Sequence, residues 1–155
     1  MLTKTTEAGI QALVYLALGK GGEPLSPRVI AEATGMSPSY LSKVTGQLVR
    51  ADILRAHRGA RGGVTLSRPA GKIRLIEVVE ALQGRIVGRY CEDTTGVASI
   101  CAFHEAMHEV HRATVEVLSR WTLADLAARP IGVRVGKKAG RCLMSCLKDR
   151  VQTGA

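Results

Sequence analysis

Apolar residues recur at helical spacing along most of this chain, and the polar residues between them mark where each helix starts and stops. Near the N-terminus, Ile10, Leu13, Val14, Leu16 and Ala17 share one helical face. Thr3 or Thr5 can cap that helix, and Glu7 suits its first turn. Gly19-Lys20-Gly21-Gly22 reads as the loop that ends it. Ser26-Pro27 then gives a helix start, a hydroxyl cap followed by a residue pre-set for the first helical position. This second helix is expected to carry Val29, Ile30 and Ala33 inward and to stop near Thr34-Gly35. Ser37-Pro38 repeats the signal, and Leu41, Val44 and Leu48 form the buried stripe of a third helix. Ile53-Leu54 and Val64-Thr65-Leu66 read as two short strands around His57-Arg58-Gly59-Ala60-Arg61-Gly62-Gly63.

The linker from Ser67 through Arg68-Pro69-Ala70-Gly71 leads to a short helix, about Leu75 to Leu82, with Ile76, Val79, Ala81 and Leu82 apolar and Gly84 at its end. A polar loop from Tyr90-Cys91 to Ile100 follows. A long helix is expected from about Cys101 to Arg120, where Phe103, Met107, Val110, Thr114, Val117 and Trp121 recur at alternating spacings of four and three, a heptad-like seam. Thr122-Leu123-Ala124-Asp125 opens one more turn, and Arg129-Pro130 ends it. The predicted fold is mainly α with a small β-hairpin: a winged helix-turn-helix domain plus a long dimerisation helix. Its divisions are 1–84 for the winged domain, 85–100 for a sensor loop, 101–128 for the dimerisation helix and 129–155 for a basic, flexible tail or one holding a short helix.

The outer face of the third helix gives this arrangement a purpose. It shows Ser39, Tyr40, Ser42, Lys43, Thr45, Gln47 and Arg50, hydrogen-bonding groups and cations of the kind that reach phosphates and base edges. Two capped helices joined by a tight turn are a helix-turn-helix. Ser39, Tyr40, Ser42, Lys43 and Gln47 are the candidates for the major groove. Arg58 and Arg61, at a glycine-rich hairpin tip with no core to enter, suit phosphates or a narrow minor groove. A long helix with an apolar seam on a small domain needs a cover. A second copy supplies it, and two-fold dimers read palindromic operators in double-stranded DNA.

Charge agrees with a polyanionic partner. The 155 residues carry a formal net charge of +9. Residues 1–70 hold nine Lys/Arg against four Asp/Glu, residues 71–128 six against eight, and residues 129–155 seven against one. The positive charge therefore sits on the helix-turn-helix and the tail. Aromatic content of 3% argues against recognition of single strands by base stacking. A nonspecific architectural DNA binder remains an alternative, distinguished by salt-sensitive affinity without a preferred sequence.

The opening residues lack the apolar run of a signal peptide and no segment is long and apolar enough to span a membrane, so a cytoplasmic protein is expected. In a reducing compartment four cysteines point to metal, cluster or redox chemistry rather than structural disulfides. His104 and His108 lie one turn apart on the long helix, His111 three residues on, and Cys101 three before. Such a stripe suits iron, zinc or haem. Cys142 and Cys146 share a face if their segment is helical, and their basic neighbours would favour thiolates. His104-Glu105-Ala106-Met107-His108 has the zincin spelling, but so short a chain, half of it a winged helix, leaves little room for a third ligand and a substrate cleft. No enzyme activity is expected.

The chain resembles the Rrf2 family of bacterial winged-helix regulators. The matching pieces are L-T-K-T-T-E, A-L-V-Y-L-A, V-I-A-E-A-T-G-M-S-P-S-Y-L-S-K-V, R-G-A-R-G-G-V-T-L-S-R-P, I-E-V-V-E-A-L-Q-G and W-T-L-A-D-L, together spanning about Leu2 to Leu126. The resemblance implies a homodimeric transcription factor with long helices crossing at the dimer interface. It also implies a sensor. Cluster-binding members place three cysteines before and at the start of the long helix, the last opening a C-x-x-H pair. Cys91 matches the first and Cys101 with His104 the pair, while the middle cysteine is missing. The expected cofactor is a 2Fe-2S cluster on Cys91, Cys101 and His104, with Glu7 or His108 as the fourth ligand; imidazole ligation has precedent in Rieske-type centres. The alternative is a cluster-free regulator responding through cysteine oxidation, another metal or a small-molecule effector.

Overall fold

The computed structural model of the protein describes residues 2–19, 22–59, 62–86 and 102–128. Helix α1, Lys4–Leu18, starts where Thr3 caps it by accepting from the Thr6 amide. Helices α2, Pro27–Thr34, and α3, Pro38–Arg50, begin on the same plan, with Ser26 accepting from the Val29 amide and Ser37 from the Tyr40 amide, both at 3.3 Å. Gly35, with φ of 72°, makes the left-handed turn between them, a conformation that a Cβ would strain.

Strand β1, Leu54–His57, pairs antiparallel with β2, Gly63–Leu66, so that Leu54 faces Leu66 and His57 faces Gly63. The hairpin starts one residue later than the pattern suggested, because Ile53 accepts from the Ser67 amide at the hairpin base and points into the core. Leu25 adds a single bridge to Val64, with backbone bonds of 3.1 and 2.9 Å in the two directions. A single 3₁₀ turn, Ala70–Lys72, precedes helix α4, Leu75–Gln83. Helix α5 runs Ala102–Arg120 and α6 runs Leu123–Ala128. Asp125 closes the start of α6 by accepting from both the amide and the hydroxyl of Thr122, at 2.8 and 2.6 Å.

One core joins these pieces. Leu13 and Val14 of α1, Ile30 of α2, Leu41, Val44 and Leu48 of α3, Ile53 and Leu54 of the wing base, Ile73 and Val78 are all but inaccessible to solvent. Leu123 of α6 is buried among them, and its amide donates to the Ile73 carbonyl at 2.9 Å. The chain thus leaves the winged domain along α5 and returns to it in α6.

Two expectations need correction. Val29 is 42% exposed, since only Ile30, Ala31 and Ala33 of α2 reach the core. Thr45 does not face outward: it is buried, and its hydroxyl donates to the Leu41 carbonyl one turn back at 3.0 Å. That internal bond satisfies the one polar group that would otherwise oppose burial.

Candidate nucleic-acid interface and sensor region

The exposed side of α3 and the adjacent hairpin form the candidate DNA surface. Ser39, Ser42 and Lys43 are exposed and Gln47 is half-buried. The Ser42 hydroxyl donates to the Pro38 carbonyl at 2.9 Å, which leaves its oxygen free to accept from outside. Tyr40 stands apart from this set. It is half-buried against the core, and its hydroxyl donates to Thr5 Oγ1 of α1 at 3.2 Å.

In the wing, Arg55, Ala56, His57 and Arg58 are all exposed. His57 Nε2 and Thr65 Oγ1 lie 2.9 Å apart across the strands. The tip turns through Gly59, at φ of 108°, and the Gly62 amide donates to the Gly59 carbonyl at 2.8 Å. Arg58 sits at the start of this turn, while Arg61 lies outside the described residues.

A residue without a role in the sequence pattern fastens the wing. Arg68 donates to the Asp52 carbonyl at 2.8 Å, to the Lys72 carbonyl at 3.2 Å and to the Glu77 carboxylate. Glu77 in turn accepts from the Arg74 amide at the start of α4. Arg68 followed by Pro69 after a strand is the only sequence signal, and it does not reveal partners on three elements.

Helix α5 buries no residue within its own protomer. Phe103 and Val110 are 64% and 57% exposed, and Val117 and Trp121 are also exposed. Beside this stripe lies a groove of 640 Å³, whose lining includes Leu2, Val79, Gln83, Ile86, Met107 and Val117.

The donors expected of the sensor divide between described and undescribed residues. Cys91 and Cys101 lie outside the described residues, as do Cys142 and Cys146. Glu7 is half-buried on α1, His104 half-buried in the first turn of α5, and His108 exposed. Among the described residues no three His, Cys, Asp or Glu side chains gather into a group that could hold a metal. His111 packs edge-on to His108, with ring centroids 6.4 Å apart, and its Nδ1 donates to the Ile86 carbonyl at 3.1 Å. His111 thus faces the end of α4, and it lines the groove together with Met107, Val110 and Val117 of the apolar seam.

The Rrf2 family model, described as an iron-dependent transcriptional regulator, matches residues 2–129. The chain belongs to the Rrf2 family. Rrf2 regulators bind DNA as dimers and are transcription factors, not enzymes. Among solved structures, CymR (YrzC), the global cysteine regulator of B. subtilis, is 28% identical, with a TM-score of 0.71 over 83% of this chain and 96% of that one. IscR of T. potens is 26% identical, with a TM-score of 0.70 over 88% and 93%. The oxidized form of S. aureus CymR is 26% identical, with a TM-score of 0.65 over 86% and 99%. The helices, hairpin and long α5 of this Rrf2 chain accord with the winged-helix fold of these regulators. No helix among its described residues is long and apolar enough to cross a membrane.

Proposed function

We propose that this protein is a cytoplasmic, sequence-specific regulator that reads a palindromic operator with α3 and the wing. Ser39, Ser42, Lys43 and Gln47 would face the major groove, with Tyr40 at the edge of that surface, and Arg58 and Arg61 the minor groove. The observation that carries this reading is the exposed polar and cationic face of α3 beside an exposed arginine hairpin, on a domain whose remaining helices are committed to one core. Its affinity is sequence-dependent, and this separates it from an architectural binder. A binding selection from random duplexes tests it: a two-fold-symmetric motif is expected, and enrichment of no motif overturns it.

We further propose that the signal enters around Cys91, Cys101 and His104 and concerns redox, iron–sulfur or nitric oxide status. Two thiols and an imidazole suit an iron–sulfur centre in kind. In number they fall one short, and Glu7 and His108 are the candidates for the remaining position. The family's iron-dependent description and the similarity to T. potens IscR support a 2Fe-2S cluster. Such a group, when bound, would supply a reversible change of charge and ligation; His104, at the start of α5, would tie that change to the dimer helix.

A second reading has its own support. The middle cysteine of the family's cluster-binding pattern is absent from this sequence. A structure of S. aureus CymR in an oxidized form is also among the similar proteins. In that reading the thiols are oxidised directly, or another metal or effector acts. The visible spectrum of protein purified without oxygen, with iron and acid-labile sulfide, separates the two. A brown protein containing both supports the cluster, and substitution of Cys91, Cys101, His104, Glu7 and His108 in turn then identifies its ligands. A colourless protein that also refuses reconstitution overturns it.

A further inference from the structure

The first turn of α1 touches both the reading helix and the end of α4. On one side, the Tyr40 hydroxyl of α3 donates to Thr5 Oγ1. On the other, Gln83, the last residue of α4, accepts at its Oε1 from the Thr3 amide at 3.1 Å and from the Thr6 hydroxyl at 2.9 Å. Thr6 is fully buried, and Thr3 and Thr6 hydroxyl oxygens lie 2.9 Å apart. A hydroxyl has one proton to give. With the Thr6 proton committed to Gln83, the Thr3 hydroxyl must donate to Thr6, which makes a directed chain from Thr3 through Thr6 to Gln83. Bonds arranged this way polarise and strengthen one another.

Gln83 also lines the groove beside α5, together with Leu2 and Ile86. The short turn around Thr3, Thr5 and Thr6 therefore spans from the helix that meets DNA to the groove beside the helix that pairs protomers. We propose that this turn is a positioning hub that fixes α3 relative to α5, and that Tyr40 is a positioning residue rather than a base-reading one. The proposal rests on the reading of α3 as the helix that meets DNA. It goes further in assigning operator geometry, the distance and phase between half-sites, to hydrogen bonds within the protein rather than to contacts with base edges. Moving a half-site by one base pair shifts it about 3.4 Å along the duplex and about 35° around it. A dimer whose reading helices are firmly set should discriminate such steps, and a loosened one should not.

The test uses the full-length dimer and duplexes selected from a random library. The variants are Tyr40→Phe, Thr5→Val and Gln83→Met, each close in shape to the original, with Thr5→Ser as the hydroxyl-retaining control and thermal melting to confirm folding. The hub predicts one shared phenotype. The half-site base preference stays that of the wild type, while the penalty for adding or removing one base pair between half-sites falls several-fold. Tyr40→Phe combined with Thr5→Val should add nothing to either single change, since both remove the same bond. Thr5→Ser should behave as wild type even if Thr5→Val melts early.

A changed base preference in Tyr40→Phe alone, with Thr5→Val and Gln83→Met unaffected, would overturn the proposal and make Tyr40 a base-reading residue. Wild-type spacing discrimination in all three would overturn it as well. Lys43→Ala and Ser39→Ala run alongside. If neither alters base preference, the reading of α3 itself fails, and that failure is visible separately from the behaviour of the hub.

Discussion

Arg68 and Glu77 meet at the join between the wing and α4; Arg68 also holds the Asp52 carbonyl before the wing, and Glu77 the Arg74 amide at the start of α4. Both are partly exposed, with side-chain accessibilities of 28% and 40%, so solvent screens the charge attraction. The hydrogen bonds to carbonyls matter more than the charge pair alone. Replacing Arg68 by Leu should lower unfolding free energy by about 1–2 kcal/mol, measured by urea titration. It should also weaken DNA binding more than the stability loss explains, because the hairpin loses its anchor. Arg68→Lys should recover only part of either, since one ammonium cannot reproduce a planar fork with three acceptors.

On the candidate DNA surface, Lys43→Ala and Arg58→Ala are expected to differ in kind. If Lys43 reads a base edge, its removal weakens binding by about 1–3 kcal/mol and relaxes preference at one position of each half-site. If Arg58 neutralises a phosphate, its removal weakens all duplexes alike and lowers the magnitude of the salt slope by about one for each phosphate released. Affinities measured across a salt series on matched and mismatched duplexes distinguish the two.

The seam of α5 gives a third prediction. Val110→Asp places a charge in the middle of the exposed apolar stripe, at a residue more than half exposed and outside the buried core of the protomer. Sedimentation should show a monomer whose winged domain still melts cooperatively. A full palindrome should then bind no more tightly than an isolated half-site. A variant that stays dimeric would move the interface off this stripe.

Two glycines should respond differently to Ala. At Gly63 a Cβ would collide with the Leu25 backbone, where Leu25 bridges to the wing, and neither chain can yield without breaking those bonds. At Gly9 the obstacle is the Leu82 Cδ1 methyl, the end of a side chain that can rotate. Gly63→Ala should destabilise by about 2–3 kcal/mol and Gly9→Ala by clearly less, by thermal melting.

How much of the molecule is legible in its sequence follows from how local each signal is. Ser26 and Ser37 cap their helices as expected, and Thr3 rather than Thr5 caps the first, because a cap is a bond between residues three apart. Gly35 and the α5 seam are legible because a turn residue and a periodicity are local signals too. Val29 and Thr45 depart from the pattern because residue type is a poor guide at the edge of a buried face: Val29 lies just beyond what the neighbours cover, and Thr45 satisfies itself within its own helix. The Leu25 bridge, the partners of Arg68 and the return of Leu123 to the core join residues far apart in the chain, and no spacing announces them. At the candidate site, the polar side of α3 could be read directly. That Tyr40 bonds to Thr5 could not be read, since nothing in either segment names the other. The spacing of the α5 histidines shows a stripe, but which side α4 covers depends on tertiary packing.

Helix α5 has one more implication. It buries no residue fully in its own protomer and is only half-covered by α4, and helices with so little tertiary packing are marginal in water. The order of this helix should therefore be coupled to pairing, and pairing follows mass action. Operator occupancy would rise more steeply than in proportion to the number of chains in the cell. Dilution at cell division, or a fall in synthesis, would release DNA without any chemical signal, so abundance is itself an input to this regulator.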